Sequence, residues 1–187
     1  MAEVFVGVKF QTDFVGRRPP FDPRLAELVQ WCHTLASWGV VGDTVGNLSF
    51  RTTNGYIISR TAANLATITT EEFVEVVEAD VAGRSLTVIG AYEPSSESMM
   101  HATLYQARAE VKAVFHGHSE KLLTAATRLR IAVTEQEQPY GTPQLSEEIV
   151  KILAWHNLFI MRDHGFVSLG RTMSEAARWI EQVLARL

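Results

Sequence analysis

Residues 48–59, Leu48-Ser49-Phe50-Arg51-Thr52-Thr53-Asn54-Gly55-Tyr56-Ile57-Ile58-Ser59, decide what kind of sheet this chain builds. Two short strand-like runs, 48–51 and 56–59, flank Asn54-Gly55. Asn-Gly is the strongest short hairpin signal, because both residues tolerate the positive φ of a tight turn. A second pair follows the same logic: the apolar run 158–161, the turn Asp163-His164-Gly165, and the return strand 166–169. Hairpins interleaved with helical segments imply a largely antiparallel or mixed sheet covered by helices, not a purely parallel doubly wound one.

Working outward, Asp22 reads as an N-cap with Pro23 at the first helical position. Leu25, Leu28, Val29, Cys32, Leu35 and Ala36 then form one apolar face, and Gly39 stops the helix. Thr69 with Glu72 spells a capping box and predicts a helix to about Glu78. Residues 85–91 read as a strand. Pro94-Ser95-Ser96 opens a helix through roughly Ala109, and 113–118 is a strand followed by a helix from Ser119. Residues 131–133 suit an edge strand, and a helix covers 143–155. Thr172 with Glu175 caps the last helix, whose face is Ala176, Ile180, Val183, Leu184 and Leu187. The apolar stretch 1–10 is short, lacks a basic leader and a small-residue cleavage site, and is expected to form a strand. With no repeat and no linker, 1–187 is expected to be a single domain.

The composition narrows the function. With 47% apolar and 20% charged residues the chain belongs to the soluble globular class. A net charge of -4 argues against a dedicated nucleic-acid binder, though a local basic pocket for a small anion stays open. The lone cysteine, Cys32, excludes an internal disulfide and fits a reducing compartment, so a cytoplasmic location is expected. No run is long enough to span a bilayer. The stretch 39–46 has neither the spacing nor the lysine of a nucleotide-phosphate loop.

The most specific chemical feature is Phe115-His116-Gly117-His118. Residues two apart on a strand project to one face, so both imidazoles would point together and offer half of a tetrahedral zinc-type site. A hydrogen-bonded pair of histidines accounts for the same letters. His164, in a turn at a strand end, is the best third ligand, but on its letters alone it reads as an ordinary exposed turn residue. Glu97 follows Pro94-Ser95-Ser96 at a helix N-terminus. There Ser95 or Ser96 as N-cap and Glu97 as a first-turn carboxylate explain it as well as catalysis does. His101 shares a helical face with Glu97 and reads equally as a packed residue or a support for the site. His33 lies off its helix's apolar face, at the surface, and His156 in a helix-ending loop. Gly46-Asn47 could present N–H groups to an oxyanion or simply make a turn.

Taken in order, these pieces resemble the class II aldolase/adducin family across almost the whole chain. The matching stretches are Gly46-Asn47-Leu48-Ser49 and Pro94-Ser95-Ser96-Glu97 with His101 and Tyr105. After them come Val114-Phe115-His116-Gly117-His118 and Asp163-His164-Gly165 before Gly170. The resemblance implies a three-layer α/β/α fold with a mainly antiparallel central sheet, and a homotetramer with active sites near subunit boundaries. It implies that His116, His118 and His164 bind a divalent metal such as Zn2+, with Glu97 as the acid/base. It further implies that Gly46, Asn47, Thr61, Ser95 and Ser96 surround the phosphate of a small sugar phosphate.

Three departures stand out. The family's Thr-Pro-Ser-Gly loop is Ser59-Arg60-Thr61-Ala62 here, where Ala62 replaces a glycine and Arg60 could act as a phosphate clamp or mark a different acid substrate. Asp163 stands where the family has Asn. A C-terminal tyrosine proton donor has no obvious counterpart, with Tyr140 the substitute. The expected activity is a metal-dependent aldolase, a lyase cleaving a small hydroxy-ketone by retro-aldol chemistry. A sugar-phosphate dehydratase or epimerase on the same site is the alternative. A non-catalytic adducin-like interaction domain would be expected to have lost a ligand or the carboxylate.

Overall fold

The computed structural model describes residues 7–187, so the part of the expected first strand up to residue 6 lies outside the described residues. Residues 7–10 are not strand, and β1 runs instead over Gln11–Gly16. There follow α1 (Leu25–Ser37), β2 (Asn47–Arg51), β3 (Tyr56–Ser59), β4 (Phe73–Asp80) and β5 (Ser85–Ile89). After these come α2 (Ser98–Ala107), β6 (Ala113–Gly117), α3 (Glu120–Leu129), β7 (Ala132–Val133) and α4 (Pro143–Leu153). The chain closes with β8 (Leu158–Met161), β9 (Gly165–Gly170) and α5 (Met173–Leu184).

Among the described residues the strands form one sheet in the order β1-β5-β4-β3-β2-β6-β9-β8-β7. The predicted hairpin supplies its middle, with Arg51 facing Tyr56 and β6 on the other side of β2. Every interior ladder is antiparallel, and parallel pairing occurs only at the two edges, β1 with β5 and β7 with β8. The sheet is therefore mixed, though antiparallel wherever it carries the site.

Two apolar clusters cover its faces. Leu28 and Leu35 of α1, Leu122 of α3 and Ile180 of α5 pack with Phe115 and Phe166. Met100 and Leu104 of α2 and Ile149 of α4 pack with Val114 and Val167 on the other side. Consecutive residues of β6 and β9 thus feed opposite cores, as the two-residue period of a strand requires. The result is helix, sheet, helix in three layers. No helix among the described residues is long and apolar enough to cross a membrane.

The local differences have simple causes. Helix α1 begins two residues late because Asp22-Pro23 make a turn, in which Leu25 N–H donates to the Asp22 carbonyl at 3.0 Å. The capping box at Thr69 and Glu72 forms, but it caps one 3-10 turn over Thr70–Glu72 and not a helix. The next residues, Phe73-Val74-Glu75-Val76, pair with β3 and bury all but Glu75, so apolar and β-branched residues on a paired strand override the local helix signal. Helix α2 ends at Ala107, short of Ala109.

Candidate metal centre and active site

The site gathers at one end of the middle strands. Asn47 opens β2 directly opposite His116 of β6, which in turn faces Val167 of β9. His118 lies just beyond the end of β6, and His164 lies in the β8–β9 turn, where its N–H donates to the Met161 carbonyl at 3.1 Å. Asp163 precedes it at φ 54°, a left-handed conformation that Asp and Asn tolerate better than most residues. Gly165 is required for close approach, because a Cβ there would lie 2.5 Å from the Gly117 carbonyl and 2.8 Å from His116 Cε1. A Cβ on Gly117 would likewise press to 2.4 Å from the Val40 carbonyl.

This geometry brings together four of the expected residues. One ligand atom each from Glu97, His116, His118 and His164 can be chosen so that all lie within 4.8 Å of one another. His118 Nε2 is 3.0 Å from His116 Nε2. Glu97 Oε2 is 3.0 Å from His116 Nε2, and its Oε1 is 2.9 Å from His164 Nε2. His116 and Glu97 are buried, and His118 is the most open of the four.

The donor chemistry fits a divalent cation. His116 Nδ1 lies 2.7 Å from the Phe166 carbonyl oxygen, which can only accept. Nδ1 must therefore carry a proton, which leaves Nε2, on the side of the cluster, as the nitrogen that can ligate. Lone pairs of His116 and His118 and a carboxylate oxygen would repel at about 3 Å unless a proton or a cation lies among them. Two imidazole nitrogens on one zinc-sized ion sit roughly 3.3 Å apart, given bonds of about 2.0–2.1 Å.

Electrostatics point the same way. Burial pushes the Glu97 carboxyl up, but the charges and hydrogen bonds of His116 and His164 outweigh it and hold the group well below the usual carboxylate range. A cation among those rings would act in the same direction. The His118 imidazole is pushed below its ordinary value by desolvation and then by His116. The His118 shift favours the neutral imidazole that ligates, and Glu97 is held ionised by positive charge among the rings, supplied by protons or by a cation.

Glu97 does not sit in the first turn as expected. It occupies the position just before α2, with Ser98 N–H donating to the Ser95 carbonyl at 3.0 Å. Ser95 Oγ accepts from the Glu97 N–H at 3.3 Å, and neither Ser95 nor Ser96 is the helix N-cap. That turn leaves the Glu97 side chain free of capping and directs it into the cluster.

Beside the cluster opens a cleft of about 450 Å³. Gly46, Asn47, Ser95, Ser96, Glu97, His118 and His164 all line it. Thr61 stands apart, since it is not in the cleft wall and its hydroxyl is buried without a hydrogen-bond partner among the described residues. Arg60 reaches the cleft but is already engaged: Nε and Nη2 donate to Glu72 Oε1 at 3.1 and 2.9 Å, and Nη1 to the Thr61 carbonyl at 2.9 Å. A free phosphate clamp at Arg60 is therefore not what the fold presents. Ala62, in the place of the family's glycine, adopts φ 51°.

Tyr140 also faces the cleft, with its hydroxyl donating to the Gly7 carbonyl at 3.1 Å and Lys9 Nζ 3.7 Å from its ring centre. Reading the sequence missed Thr44, Glu137 and Gln138, which complete the wall from loops. Loop residues of this kind carry no periodic signal, and nothing local marks them.

His101 is fully buried, with Nε2 2.6 Å from Asn47 Oδ1 and Nδ1 2.7 Å from Ser49 Oγ. His33 is exposed and touches the Ile68 carbonyl at 3.0 Å, as a surface residue should.

Comparison with known proteins agrees with this picture. Residues 26–185 match the family model described as Class II Aldolase and Adducin N-terminal domain. A methylthioribulose-1-phosphate dehydratase of Methylococcus capsulatus is 29% identical over 190 residues, covering 86% of this chain and 89% of its own. An L-fuculose phosphate aldolase of Methanococcus maripaludis is 27% identical over 166 residues, covering 81% and 87%. Among solved structures, an L-fuculose 1-phosphate aldolase superposes with a TM-score of 0.75 at 22% identity over 90% of this chain and 84% of its own. A sugar-phosphate aldolase from Thermotoga maritima gives 0.72 at 20% identity, covering 87% and 93%. At those identities the structural likeness speaks to the fold alone.

Proposed function

This chain belongs to the class II aldolase and adducin family, and from that membership we propose that it is a metal-dependent lyase acting on a small phosphorylated hydroxy-ketone. The observation that supports this reading most is the convergence of three imidazoles and a buried carboxylate at the wall of one cleft. A non-catalytic interaction domain would have no need to keep all four.

In this reading Nε2 atoms of His116, His118 and His164 hold the ion, most naturally Zn2+. When bound it would supply Lewis acidity, lowering the energy of the negative charge that develops on a substrate carbonyl oxygen. Glu97 holds or moves a proton at the substrate carbon that becomes the nucleophile. The Asn47 amide donates to Glu97 Oε2 at 2.7 Å and keeps the carboxylate facing the cleft. Gly46, Ser95 and Ser96 line the same wall and are assigned to the phosphate with Asn47. Thr61 can join them only if its loop turns its buried hydroxyl outward. Tyr140 is the proposed second proton donor. We further assign the chain to one domain, a cytoplasmic homotetramer with each site near a subunit boundary.

Retro-aldol cleavage is the leading reaction, and dehydration is the second, favoured by the likeness to a methylthioribulose-1-phosphate dehydratase. Dehydration begins with loss of the proton on the carbon beside the carbonyl, and cleavage with loss of the β-hydroxyl proton followed by protonation of that same carbon after the C–C bond breaks. Incubating the Zn2+-loaded protein with L-fuculose 1-phosphate and with methylthioribulose 1-phosphate separates them by product mass. Cleavage yields two shorter carbon chains, and dehydration one product lighter by a water. Turnover of neither, with Zn2+, Mn2+ or Co2+, would overturn the reading.

A further inference from the structure

The two elements that meet behind the site do so with matching periods. On β2, Asn47 and Ser49 are two apart and share a face. Glu97, just before α2, and His101 and Tyr105 within it are spaced by four and form one stripe. The stripes interdigitate into a continuous chain of hydrogen bonds: Tyr105 to Ser49 Oγ at 2.7 Å, Ser49 Oγ to His101 Nδ1 at 2.7 Å, His101 Nε2 to Asn47 Oδ1 at 2.6 Å, and Asn47 Nδ2 to Glu97 Oε2 at 2.7 Å. All five residues are buried.

The protons in this chain have one consistent assignment. An ionised carboxylate only accepts, so Asn47 must turn its NH2 to Glu97 and its carbonyl to His101. That carbonyl only accepts, so His101 Nε2 carries the proton. In a neutral ring Nδ1 is then a lone pair, Ser49 donates to it, and Tyr105 donates to Ser49. Burial, with the charge of His116 adding to it and that of Glu97 opposing, lowers the His101 pKa to about 3 and keeps the ring neutral. Reversing any member would set two acceptors face to face.

We propose that His101 is a positioning residue for the acid–base group: backed by Ser49 and Tyr105, it locks the Asn47 amide so that an N–H, never the carbonyl, faces Glu97. If the network only filled space, an apolar side chain at 101 would serve, and the chain of donors would have no reason to end on Glu97. Asn47 also lines the cleft, so the same lock fixes which of its atoms a substrate meets. This inference rests on the reading of Glu97 as the acid–base residue, but its test does not depend on turnover.

The experiment uses full-length Zn2+-loaded protein labelled with 15N in histidine and asparagine. Wild type is expected to show His101 as the neutral Nε2–H tautomer and the Asn47 side-chain protons exchanging slowly with water. In His101→Leu the Asn47 protons should exchange at least about tenfold faster with Zn2+ content unchanged. In His101→Gln, whose amide can donate to Asn47 Oδ1, slow exchange should return. Ser49→Ala, which removes a single oxygen, should give an intermediate rate and serves if His101→Leu does not fold. For any ketose phosphate that wild type turns over, His101→Leu should lower kcat about 10–100-fold, the range typical of groups that orient the ligands of a site, with a smaller change in KM. An Nδ1–H tautomer in wild type, unchanged Asn47 exchange in His101→Leu, loss of Zn2+ in that variant, or no rescue by Gln would each overturn the proposal.

Discussion

His116 Nδ1 lies 2.7 Å from the carbonyl oxygen of Phe166, and this one contact between adjacent strands fixes a proton on Nδ1 and aims Nε2 at the centre. Because β6 and β9 are paired with His116 opposite Val167, the Phe166 carbonyl is held where the ring needs it. A buried imidazole with that proton fixed presents its other nitrogen as a ligand.

The ring is also confined at Cε1 by Gly165. A Cβ there would meet backbone at Gly117 and both imidazoles, His116 Cε1 at 2.8 Å and His118 Cδ2 at 2.9 Å. Gly165→Ala should lower stability by about 1–3 kcal/mol, the usual range for overpacking a tight site, and weaken metal binding by about 10–100-fold. Urea denaturation and a competitive chelator titration measure the two effects. Wild-type values for both would mean that the strands are not held as closely as described.

A prediction of the opposite sign concerns Ala62. Its φ of 51° is left-handed, which costs an L-residue roughly 1–2 kcal/mol and a glycine little. Part of that gain is offset by the greater freedom of glycine in the unfolded chain, about 0.4–1 kcal/mol. Ala62→Gly should therefore raise stability by about 0.5–1 kcal/mol, seen as a higher urea midpoint with unchanged slope. A lower midpoint would count against the strained conformation.

Acid should unfold the metal-free protein earlier than its carboxylates alone would require. His101 has its folded pKa lowered to about 3 from an ordinary 6.5, so between those values the unfolded state binds a proton that the folded state does not. Stability is then lost as pH falls from about 6.5 toward 3, at up to about 1.4 kcal/mol per pH unit for this one group. Glu97, with its folded pKa depressed, adds a loss at lower pH, below the ordinary carboxylate range. Urea midpoints of the apo protein across that window should show the slope, and His101→Gln should flatten it by about one proton. Equal slopes in the two proteins would refute the buried neutral imidazole.

Much of this architecture could be read from local letters, and the misses share a physical cause. Asn54-Gly55 marked the central hairpin, although neither residue takes a positive φ and the turn is held by Thr52, whose N–H donates to the Gly55 carbonyl at 2.9 Å. Thr172 with Glu175 marked the last helix, whose cap is satisfied within a few residues. The Thr69–Glu72 box is equally local and reads as the start of a helix to about Glu78, whereas the strand there depends on pairing with β3, beyond the intervening residues 60–72, and with β5 across the turn 81–84. β1 escaped notice for a related reason: Gln11-Thr12-Asp13-Phe14-Val15-Gly16 is an edge strand with no apolar run. At the site, the His-x-His pair signalled itself, while His164 and Glu97 needed their place in the family order. What no spacing rule could give was the meeting of Asn47 and Ser49 with His101 and Tyr105, which exists only once β2 lies beside α2.

Elemental mass spectrometry on protein purified without chelators, wild type beside His116→Ala, tests whether His116, His118 and His164 hold a metal. Near-stoichiometric divalent metal is expected in the wild type, and its loss in the variant. Wild-type protein that carries no metal, even after incubation with zinc, manganese or cobalt, would contradict that assignment.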